Sequence, residues 1–584
     1  MRILTVLLVS LAAAAQALKP ADDAILKSIS AELERSKSIN IAGLEKPYFI
    51  EYSVEDDDLM SIGASMGALT ASTHSPLRIQ DVRIRVGDYG FDNTNYVFSD
   101  YYRGARYDSD QLPLENNILG LRHVLWLATD RAYKTSIEAI ARKRSALKNV
   151  SLPDQLADYA KASPVQALLN VNRKPVDEGA WKARTVKLSG LFNAYPDVLM
   201  SNVEFQSALS TSYLLTSEGT VLRRPDDVAM VRARAYGQAS DGMQLHDAEV
   251  VLAEDSSGLP SEAELQRIVS DLARNMSGLV RAPRGDSYVG PVLFEPRAAA
   301  QLFGQLLGDN LKLSRKPVPE PGRNAPHLPS ELETRVGARI LPTWMDVVDD
   351  PTQTDFHGQR LLGAYAYDLE GVAPKPLPLV EKGILRNFLT TRTPALKGFE
   401  TSNGHARMPG SYGARGSGFG NLFVRASETV PFADLKNRLI DMCKQQNKPY
   451  GILVRKLDWP SSASFDELRR ELSGMAQSGG GSRPVSMPLL VYRIYPDGRE
   501  ELIRGVRFRG LSTRSLKEIA AASDQPYVLN VLDSPATFAL MGASNFVTSA
   551  TVIAPGLLFE ELELETIKDE MPKPPIVPPP AITE

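Results

Sequence analysis

Hydrophobic and polar residues alternate along the first hundred positions in the manner of β-strands. The segments YFIEYSV and VRIRVGDYGF, within residues 48–97, have a period of two, and the segments GASMG and STHSP interrupt it. We therefore expect an antiparallel meander that is broken at those two segments.

Helical periodicity follows further along the chain. Residues 121–147 contain no glycine or proline and predict a long helix, whereas residues 180–200 and 208–235 show strand and turn patterns. A second helix is predicted after Ser261, which forms a capping-box pair with Glu264. Its apolar positions have helical spacing: Leu265, Ile268, Val269, Leu272 and Met276.

The stretch 289–307 has the pattern of a strand followed by a buried helix. An apolar run ends at Phe294, Pro296 follows, and the next apolar residues fall on one helical face. Metallopeptidases often place two histidines and a glutamate on such a helix, where the imidazoles hold zinc and the carboxylate activates a water. No histidine lies between His246 and His327, so this helix is not a zinc helix of that kind.

The order of these patterns predicts an α+β fold, with an N-terminal antiparallel sheet and long helices followed by a β-rich C-terminal domain. Short alternating strands separated by glycine dominate from residue 338 onward. A chain of 584 residues is too long for one compact core. We place an N-terminal α+β region at 18–285, the β-rich domain at 286–567 and a proline-rich tail that cannot form a core at 568–584.

The first 17 residues have the features of a signal peptide. Met1 and Arg2 precede an apolar run at 3–15, and Ala15-Gln16-Ala17 fits the small-x-small cleavage pattern. We expect an exported chain, periplasmic or extracellular, that begins at Leu18. The run is shorter than the roughly 20 residues that span a bilayer, so no stable membrane anchor is expected.

The net charge of −4 gives the protein no positive electrostatic potential that would attract a polyanion, which argues against nucleic acid as a partner.

Two motifs have a structural explanation that is favoured over a catalytic one. The segment 63–67 fits the G-x-S-x-G pattern of a serine hydrolase elbow, but strand and turn residues follow it where the elbow needs a helix. We interpret it as a glycine-rich strand bend. The single cysteine, Cys443, lies on an apolar helical stripe and is predicted to be a buried packing residue.

Two further motifs leave alternatives open. The glycine run from Gly413 to Gly420 opens onto a strand, so a peptide-cleft loop or a plain connection is favoured over a phosphate-binding loop, which needs a helix N-terminus. Asp349 and Asp350 could serve acid–base chemistry or hold a hard cation. A pair that initiates a turn before proline is favoured, because neighbours on a strand point to opposite faces.

The order of segments in the C-terminal half resembles the TldD/TldE (PmbA) family, described as modulators of DNA gyrase and as zinc-dependent peptidases. The resemblance rests on V-V-D-D at 347–350, D-L-E-G-V at 368–372, L-V-E-K-G-I-L-R-N-F-L at 379–389, T-S-N-G-H-A-R at 401–407 and G-N-L-F-V at 420–424. In the N-terminal half it rests on S-E-G at 217–219 and D-G-M-Q at 241–244.

The resemblance implies the TldE branch. The TldD branch carries an H-E-x-x-x-H motif, whose three positions fall here on Glu295, Pro296 and Ala300, and a late cysteine, which would fall within residues 538–546 and is missing. Members of the TldE branch lack these ligands and pair with a TldD-like subunit around a peptide-binding cleft. The resemblance thus implies no catalytic residue and no metal or other cofactor in this chain, with zinc in a partner.

We therefore expect an exported, non-catalytic subunit of a TldD/TldE-type metallopeptidase complex that binds unfolded peptides and helps to cleave them. The residues expected to line the cleft are Asn403, His405, Arg407, Gly416 and Gly418. One alternative is a divergent peptidase that is active alone, with metal ligands gathered from distant positions such as His357 and His405. Another is a periplasmic peptide-binding or scaffold protein.

Overall fold

A computed structural model of the chain describes residues 23–97, 111–148, 156–171, 173–322, 327, 329–409, 413–459, 485–533, 548–568, 571–573, 575 and 577. The predicted signal peptide, the 538–546 segment and most of the proline-rich tail lie outside these ranges. The described helices are α1 (Ala24–Ser36), α2 (Ile118–Leu147), α3 (Glu178–Gly190), α4 (Glu262–Arg281), α5 (Pro296–Leu302) and α6 (Phe432–Gln445).

The N-terminal half contains eight of the described strands, and the C-terminal half contains the rest. The first group is β1 (Pro47–Ser65), β2 (Ala68–Val86), β3 (Tyr96–Val97), β4 (Gln166–Leu168), β5 (Met200–Thr216), β6 (Val221–Pro225), β7 (Val228–Gln238) and β8 (Gln244–Ala253). The second group is β9 (Tyr288–Phe294), β10 (Val318–Pro319), β11 (Met345–Asp349), β12 (Asp355–Phe356), β13 (Gln359–Arg360), β14 (Leu377–Glu381), β15 (Ile384–Leu385), β16 (Ala406–Pro409), β17 (Arg415–Ser417), β18 (Asn421–Ala426), β19 (Gly451–Leu457), β20 (Pro488–Ile494), β21 (Glu500–Ile503), β22 (Val506–Arg509), β23 (Ile519–Asp533) and β24 (Thr548–Thr566).

A seven-stranded sheet forms the N-terminal half, in the order β2-β1-β5-β6-β4, with β7 pairing β5 and β8 pairing β7. All of its pairs are antiparallel except β4 with β6. Helices α1 and α2 cover one part of this sheet, and α3 and α4 cover another. The arrangement confirms the predicted antiparallel sheet with long helices.

An eleven-stranded sheet forms the C-terminal half, in the order β15-β14-β11-β18-β24-β9-β19-β20-β21, with β22 and β23 also pairing β24. Strand β24 pairs in parallel with β18 and antiparallel with β9. The second half is therefore rich in strands, as predicted, and the largest hydrophobic cluster of the molecule lies on this sheet.

The predicted strand-to-helix junction is present. Strand β9 leads through Glu295 into α5, and the helix continues at Phe303–Gly308 as a wider π-helical turn. Every residue from Ala298 to Gly308 is buried. The helix packs against β19, β23 and β24, so it is a core element of the domain.

Two sequence-based expectations are wrong. The segment STHSP does not break the meander, since it lies inside β2. Strand β2 is an edge strand, and Pro76 is tolerated there because its missing N–H is not needed by a neighbouring strand.

Residues 180–200 begin as helix α3 rather than as a strand. The alternation of charged and apolar residues there resembles a strand, but Trp181, Thr185 and Leu188 bury one helical face, with Trp181 stacked on Phe205 at 3.9 Å between ring centroids.

None of the described helices is both long and apolar enough to cross a membrane.

A buried ion cluster joins the two halves. Lys456 of β19 is 3% exposed, and its Nζ donates to Asp247 Oδ1 at 2.5 Å and to Glu249 Oε1 at 2.8 Å, both on β8. Arg297 of α5 forms a bidentate pair with the same Glu249. Because Asp247 is fully buried, its charge depends on Lys456 for compensation.

Replacing Lys456 should therefore destabilise the junction strongly. We expect Lys456→Met to lower the free energy of unfolding by about 3 kcal/mol, since removing one partner leaves buried carboxylates uncompensated. The matched control is Arg509→Met, which breaks the exposed pair with Glu563 and should cost less than about 1 kcal/mol. Thermal and urea unfolding of the three proteins measures the difference, and equal losses for both variants would contradict the assignment.

Candidate functional site

A cavity of about 300 Å³ lies where the two halves meet. Strands β1, β2, β5, β6 and β7 of the N-terminal sheet form one side, and β16, β17 and the ends of β23 and β24 form the other. Its lining combines apolar side chains with four carboxylates and three arginines, and the charged residues are Glu55, Asp57, Asp81, Asp226, Arg224, Arg407 and Arg415. We refer to this cavity as the junction chamber.

The alternation of β1 places its polar side chains in the chamber. Ser53, Glu55, Asp57 and Leu59 line it, and because successive strand residues point to opposite faces, these four share one face. The opposite face carries residues such as Val54, which is fully buried in the core beneath α1 and α2. One strand thus supplies both the hydrophobic core and the chamber wall.

Two carboxyl groups on this wall, those of Glu55 and Asp57, are poorly solvated. Burial raises the pKa of Glu55 to about 7, although its Oε2 accepts a hydrogen bond from Ser212 Oγ at 2.6 Å. Burial also raises the pKa of Asp57. At Asp81, burial works in the same direction, but the guanidinium groups of Arg83 and Arg415 outweigh it and lower the pKa. The wall therefore holds two carboxyl groups whose charge is costly and one whose charge is stabilised.

Two of the three arginines have carboxylate partners. Arg415 donates to Glu51 Oε1 at 2.8 Å, and Arg224 lies 3.5 Å from Asp226 while donating to the carbonyl oxygen of Tyr367. Arg407 differs, because no carboxylate oxygen of the described residues lies within 4 Å of its guanidinium. Burial lowers the pKa of Arg407.

The Arg407 side chain is held from several directions. Its guanidinium lies over the Tyr365 ring at 4.0 Å from the centroid, and Nη2 donates to the carbonyl oxygen of Ser549 at 2.8 Å. The stem crosses Gly418, where an added Cβ would lie 3.0 Å from the Arg407 Cβ and 3.1 Å from the Met408 Cε. Gly418 thus leaves the room that the arginine occupies.

Of the five residues predicted to line a cleft, only Arg407 lines the junction chamber. His405 is fully buried, with Nε2 bonded to Asp349 at 2.8 Å and Nδ1 to the side-chain oxygen of Asn403 at 2.8 Å. Asn403 also donates to the carbonyl oxygen of Phe388. Gly416 pairs with Met408 in the β16–β17 hairpin. The structure therefore places Asn403, His405 and the glycines behind the chamber wall, where they support the segment that carries Arg407.

The other motifs have structural roles. The G-x-S-x-G segment forms the tight turn between β1 and β2, with Met66 and Gly67 both at positive φ, which confirms the strand bend. Asp350 accepts hydrogen bonds from Thr352 and Gln353 and initiates the predicted turn. Its neighbour Asp349 instead ends β11 in the buried pair with His405. Cys443 is 1% exposed in α6, as predicted.

Comparison with known proteins identifies a domain in the C-terminal half. Residues 287–479 match the family model of the PmbA/TldA metallopeptidase C-terminal domain. By this match residues 287–479 form a domain of the PmbA/TldD family. The resemblance seen in the sequence is thereby confirmed. No curated protein sequence matches the chain significantly.

Solved structures share the fold over nearly the whole chain. TldE from Thermococcus kodakarensis is 14% identical with a TM-score of 0.56, and the match covers 92% of this chain and 100% of that one. A proposed modulator of a DNA gyrase from Thermotoga maritima is 13% identical with a TM-score of 0.55, covering 92% and 99%. A further proposed gyrase modulator, from Bacteroides thetaiotaomicron, is 12% identical with a TM-score of 0.51, covering 93% and 98%. At these identities the likeness concerns the fold alone.

The positions of the PmbA/TldD zinc motif do not fit a zinc ion in this chain. Glu295 forms an ion pair with Arg455 at 2.7 Å, Pro296 carries no ligating atom, and Ala300 is a fully buried methyl group in the core. Zinc sites in proteins use nitrogen, sulfur and carboxylate ligands, of which only one carboxylate, already paired, remains here. Across the described ranges, no group of three or more histidine, cysteine, aspartate or glutamate side chains is placed to hold a metal ion.

The alternative ligands proposed from the sequence are not brought together as a ligand pair. His357 is exposed in the turn between β12 and β13, next to the ring of Phe356. His405 is buried, and both of its ring nitrogens are used in hydrogen bonds within the protein.

Sequence reasoning missed most of the chamber. Glu55, Asp57, Arg224 and Arg415 belong to segments that were interpreted only as strands or as a glycine-rich loop. The available signal was the alternation in residues 51–55, which is followed by the acidic run 55–58. It did not distinguish a chamber wall from an ordinary solvent-exposed face.

The raised pKa of Glu55 predicts how stability depends on pH. The folded protein retains a proton that the unfolded chain releases, so the contribution of Glu55 to stability falls as pH rises from about 4.5 to about 7 and is level above that. Glu55→Gln cannot titrate. The free energy of unfolding of this variant, relative to the natural protein, should therefore increase across that window.

Urea unfolding at about pH 5, 6, 7 and 8 measures this difference. The control is Ser53→Ala, which changes the same wall without removing a titratable group and should give a constant difference. The other charged groups near Glu55, namely Asp57, Asp226 and Arg224, are present in both variants. A flat difference for Glu55→Gln would show that the carboxyl group is well solvated.

Proposed function

We propose that this chain is an exported, TldE-like and non-catalytic subunit of a TldD/TldE-type metallopeptidase complex. Its partner is a TldD-like subunit with an intact H-E-x-x-x-H motif, which supplies the zinc. The complex binds unfolded peptides and cleaves them. The chain's own contribution is architectural, and includes part of the surface that the peptide contacts.

One observation carries the proposal: the family fold is kept while the zinc-motif positions have been absorbed into ordinary structure. Glu295 is engaged by Arg455, and Ala300 lies in the core of α5 with no exposure. Restoring a ligand at position 300 would place an imidazole where a methyl group is now fully buried in the hydrophobic core. Because the zinc-motif positions of this helix carry no free ligand, the chain contributes structure and contacts to a catalytic centre that lies in its partner.

The peptide-binding part of the proposal is supported by the junction chamber. The chamber is built from both halves of the chain, and the side chains of Asp81 and Asp226 at its lining are about half exposed, at 48% and 54%. An extended peptide forms backbone hydrogen bonds with exposed strand edges, while pockets beside the edge select its side chains. Strand β2 is an edge of the described sheet, and it bonds residues 111–112 only at Arg78 and Ile79. Asp81, two residues further along β2, lines the chamber.

Export is proposed from the sequence of residues 1–17 alone. The apolar run and the Ala15-Gln16-Ala17 cleavage pattern support it. In that case the TldD-like partner would also be exported, since the two subunits must meet in one compartment.

The test is to measure zinc content and peptide cleavage for the mature chain alone, and again for the chain purified with an H-E-x-x-x-H relative from the same genome. We expect neither zinc nor cleavage in the isolated chain, and both in the complex. Cleavage should be lost when the glutamate of the partner's motif is replaced by glutamine, although the complex should still assemble.

Stoichiometric zinc and chelator-sensitive cleavage in the isolated chain would establish the stand-alone peptidase instead. Failure to form any complex, together with peptide binding by the chain alone, would support the peptide-binding or scaffold protein. Size-exclusion chromatography with light scattering separates these outcomes from simple misfolding.

A further inference from the structure

The guanidinium of Arg407 is a buried cation with unused binding capacity. The residue is 7% exposed, and among the described residues its Nε has no hydrogen-bond partner and its guanidinium has no carboxylate within 4 Å. Within the same residues its side chain donates one hydrogen bond, to the carbonyl oxygen of Ser549, and the ring of Tyr365 covers one face. A buried charge that lacks an ionic partner is costly, and an anion in the chamber would remove that cost.

The opposite wall of the chamber carries carboxyl groups that lack a basic partner among the described residues. Glu55 and Asp57 line the same chamber, and neither has a basic group within 4 Å among the described residues. Glu55 accepts a hydrogen bond from the hydroxyl group of Ser212, and the effect of Ser210 on the pKa of Asp57 is smaller than that of burial. Burial raises the pKa of both carboxyl groups, as expected for acids that would gain from a nearby cation.

The remaining charged groups of the lining already have partners. Arg415 is paired with Glu51, Asp81 with Arg83, and Arg224 with Asp226. The chamber thus keeps one free cationic position on the C-terminal side and one free anionic position on the N-terminal side. A ligand that satisfies both carries a carboxylate and an ammonium group.

The size of the chamber limits the ligand. A volume of about 300 Å³ is at the small end of the range for ligand sites, which suits a molecule of a few residues better than a long chain. Apolar side chains between the charged groups, including Leu59, Ile79 and Leu369, suit a peptide with small apolar residues.

We propose that the junction chamber binds a short peptide through its free termini, with the carboxylate on the guanidinium of Arg407 and the ammonium group on Glu55 and Asp57. The proposal rests on the peptide-handling function proposed above and names its ligand class: short peptides with unblocked ends, such as the fragments that proteolysis releases. A guanidinium binds a carboxylate in a bidentate manner, which fixes the direction of the bound peptide.

The experiment is calorimetric titration of the mature full-length chain, without any partner, with three peptides: trialanine, trialanine amide and N-acetyl-trialanine. We expect trialanine to bind, and each blocked peptide to bind at least about tenfold more weakly, since each loses one charge-assisted contact. Equal affinity for all three, or no binding of trialanine, would overturn the proposal.

Two variants test which residue binds which terminus of the peptide. Arg407→Met should bind trialanine and its amide equally, whereas Glu55→Gln should reduce the preference for the free amine over the acetylated peptide. Arg509→Met, on the exposed ladder between β22 and β24, is the matched control and should keep both preferences. Retention of the preference for the free carboxylate by folded Arg407→Met would contradict the assignment. If that variant does not fold, the three peptides on the natural chain still decide.

These measurements are independent of the test of the proposed function. Terminus-dependent binding is read on the isolated chain, whereas zinc content and cleavage are read on the complex. The absence of peptide binding alongside zinc-dependent cleavage in the complex would therefore refute this inference and leave the subunit role standing.

Discussion

Strand β24 runs through the middle of the C-terminal sheet and pairs with β9, β18, β22 and β23. All residues from 550 to 559 are buried, so this stretch is apolar on both faces rather than alternating. Helix α5 packs on it, and its first two residues, Thr548 and Ser549, line the junction chamber. The burial of β24 therefore determines both the position of helix α5 and the position of one wall of the junction chamber.

Helix α5, which carries the positions of the zinc motif, is part of the packed core. Small residues at Ala298, Ala299 and Ala300 allow α5 to approach β24 and β19 closely, and the widened turn at Phe303–Gly308 is buried as well. Close packing of this kind tolerates added volume poorly. The helix is therefore maintained as core structure, while polar groups with unused binding capacity are found at the junction of the two halves.

Two sets of buried charges lie where the two halves of the chain meet. The cluster of Lys456, Asp247, Glu249 and Arg297 is internally paired and gives the junction its specific geometry. The junction chamber is not fully paired, since Arg407, Glu55 and Asp57 lack ionic partners among the described residues. A site that is to bind a charged ligand must leave such groups without ionic partners.

Much of the fold is determined locally and could be predicted from the sequence. The periodicities of β1, α2, α4 and the β9–α5 junction depend on which face is buried, and the C-terminal motifs indicated the family. Two predictions from the sequence are wrong because the local pattern and the tertiary context disagree. The sequence of α3 alternates like a strand, but the helix buries Trp181 on Phe205, and Pro76 is tolerated because it lies on an edge strand.

The junction chamber was decided only by the tertiary structure. Alternation on β1 shows that Glu55 and Asp57 share a face, but whether that face meets solvent or Arg407, more than 300 residues away along the chain, depends on how the two sheets pack.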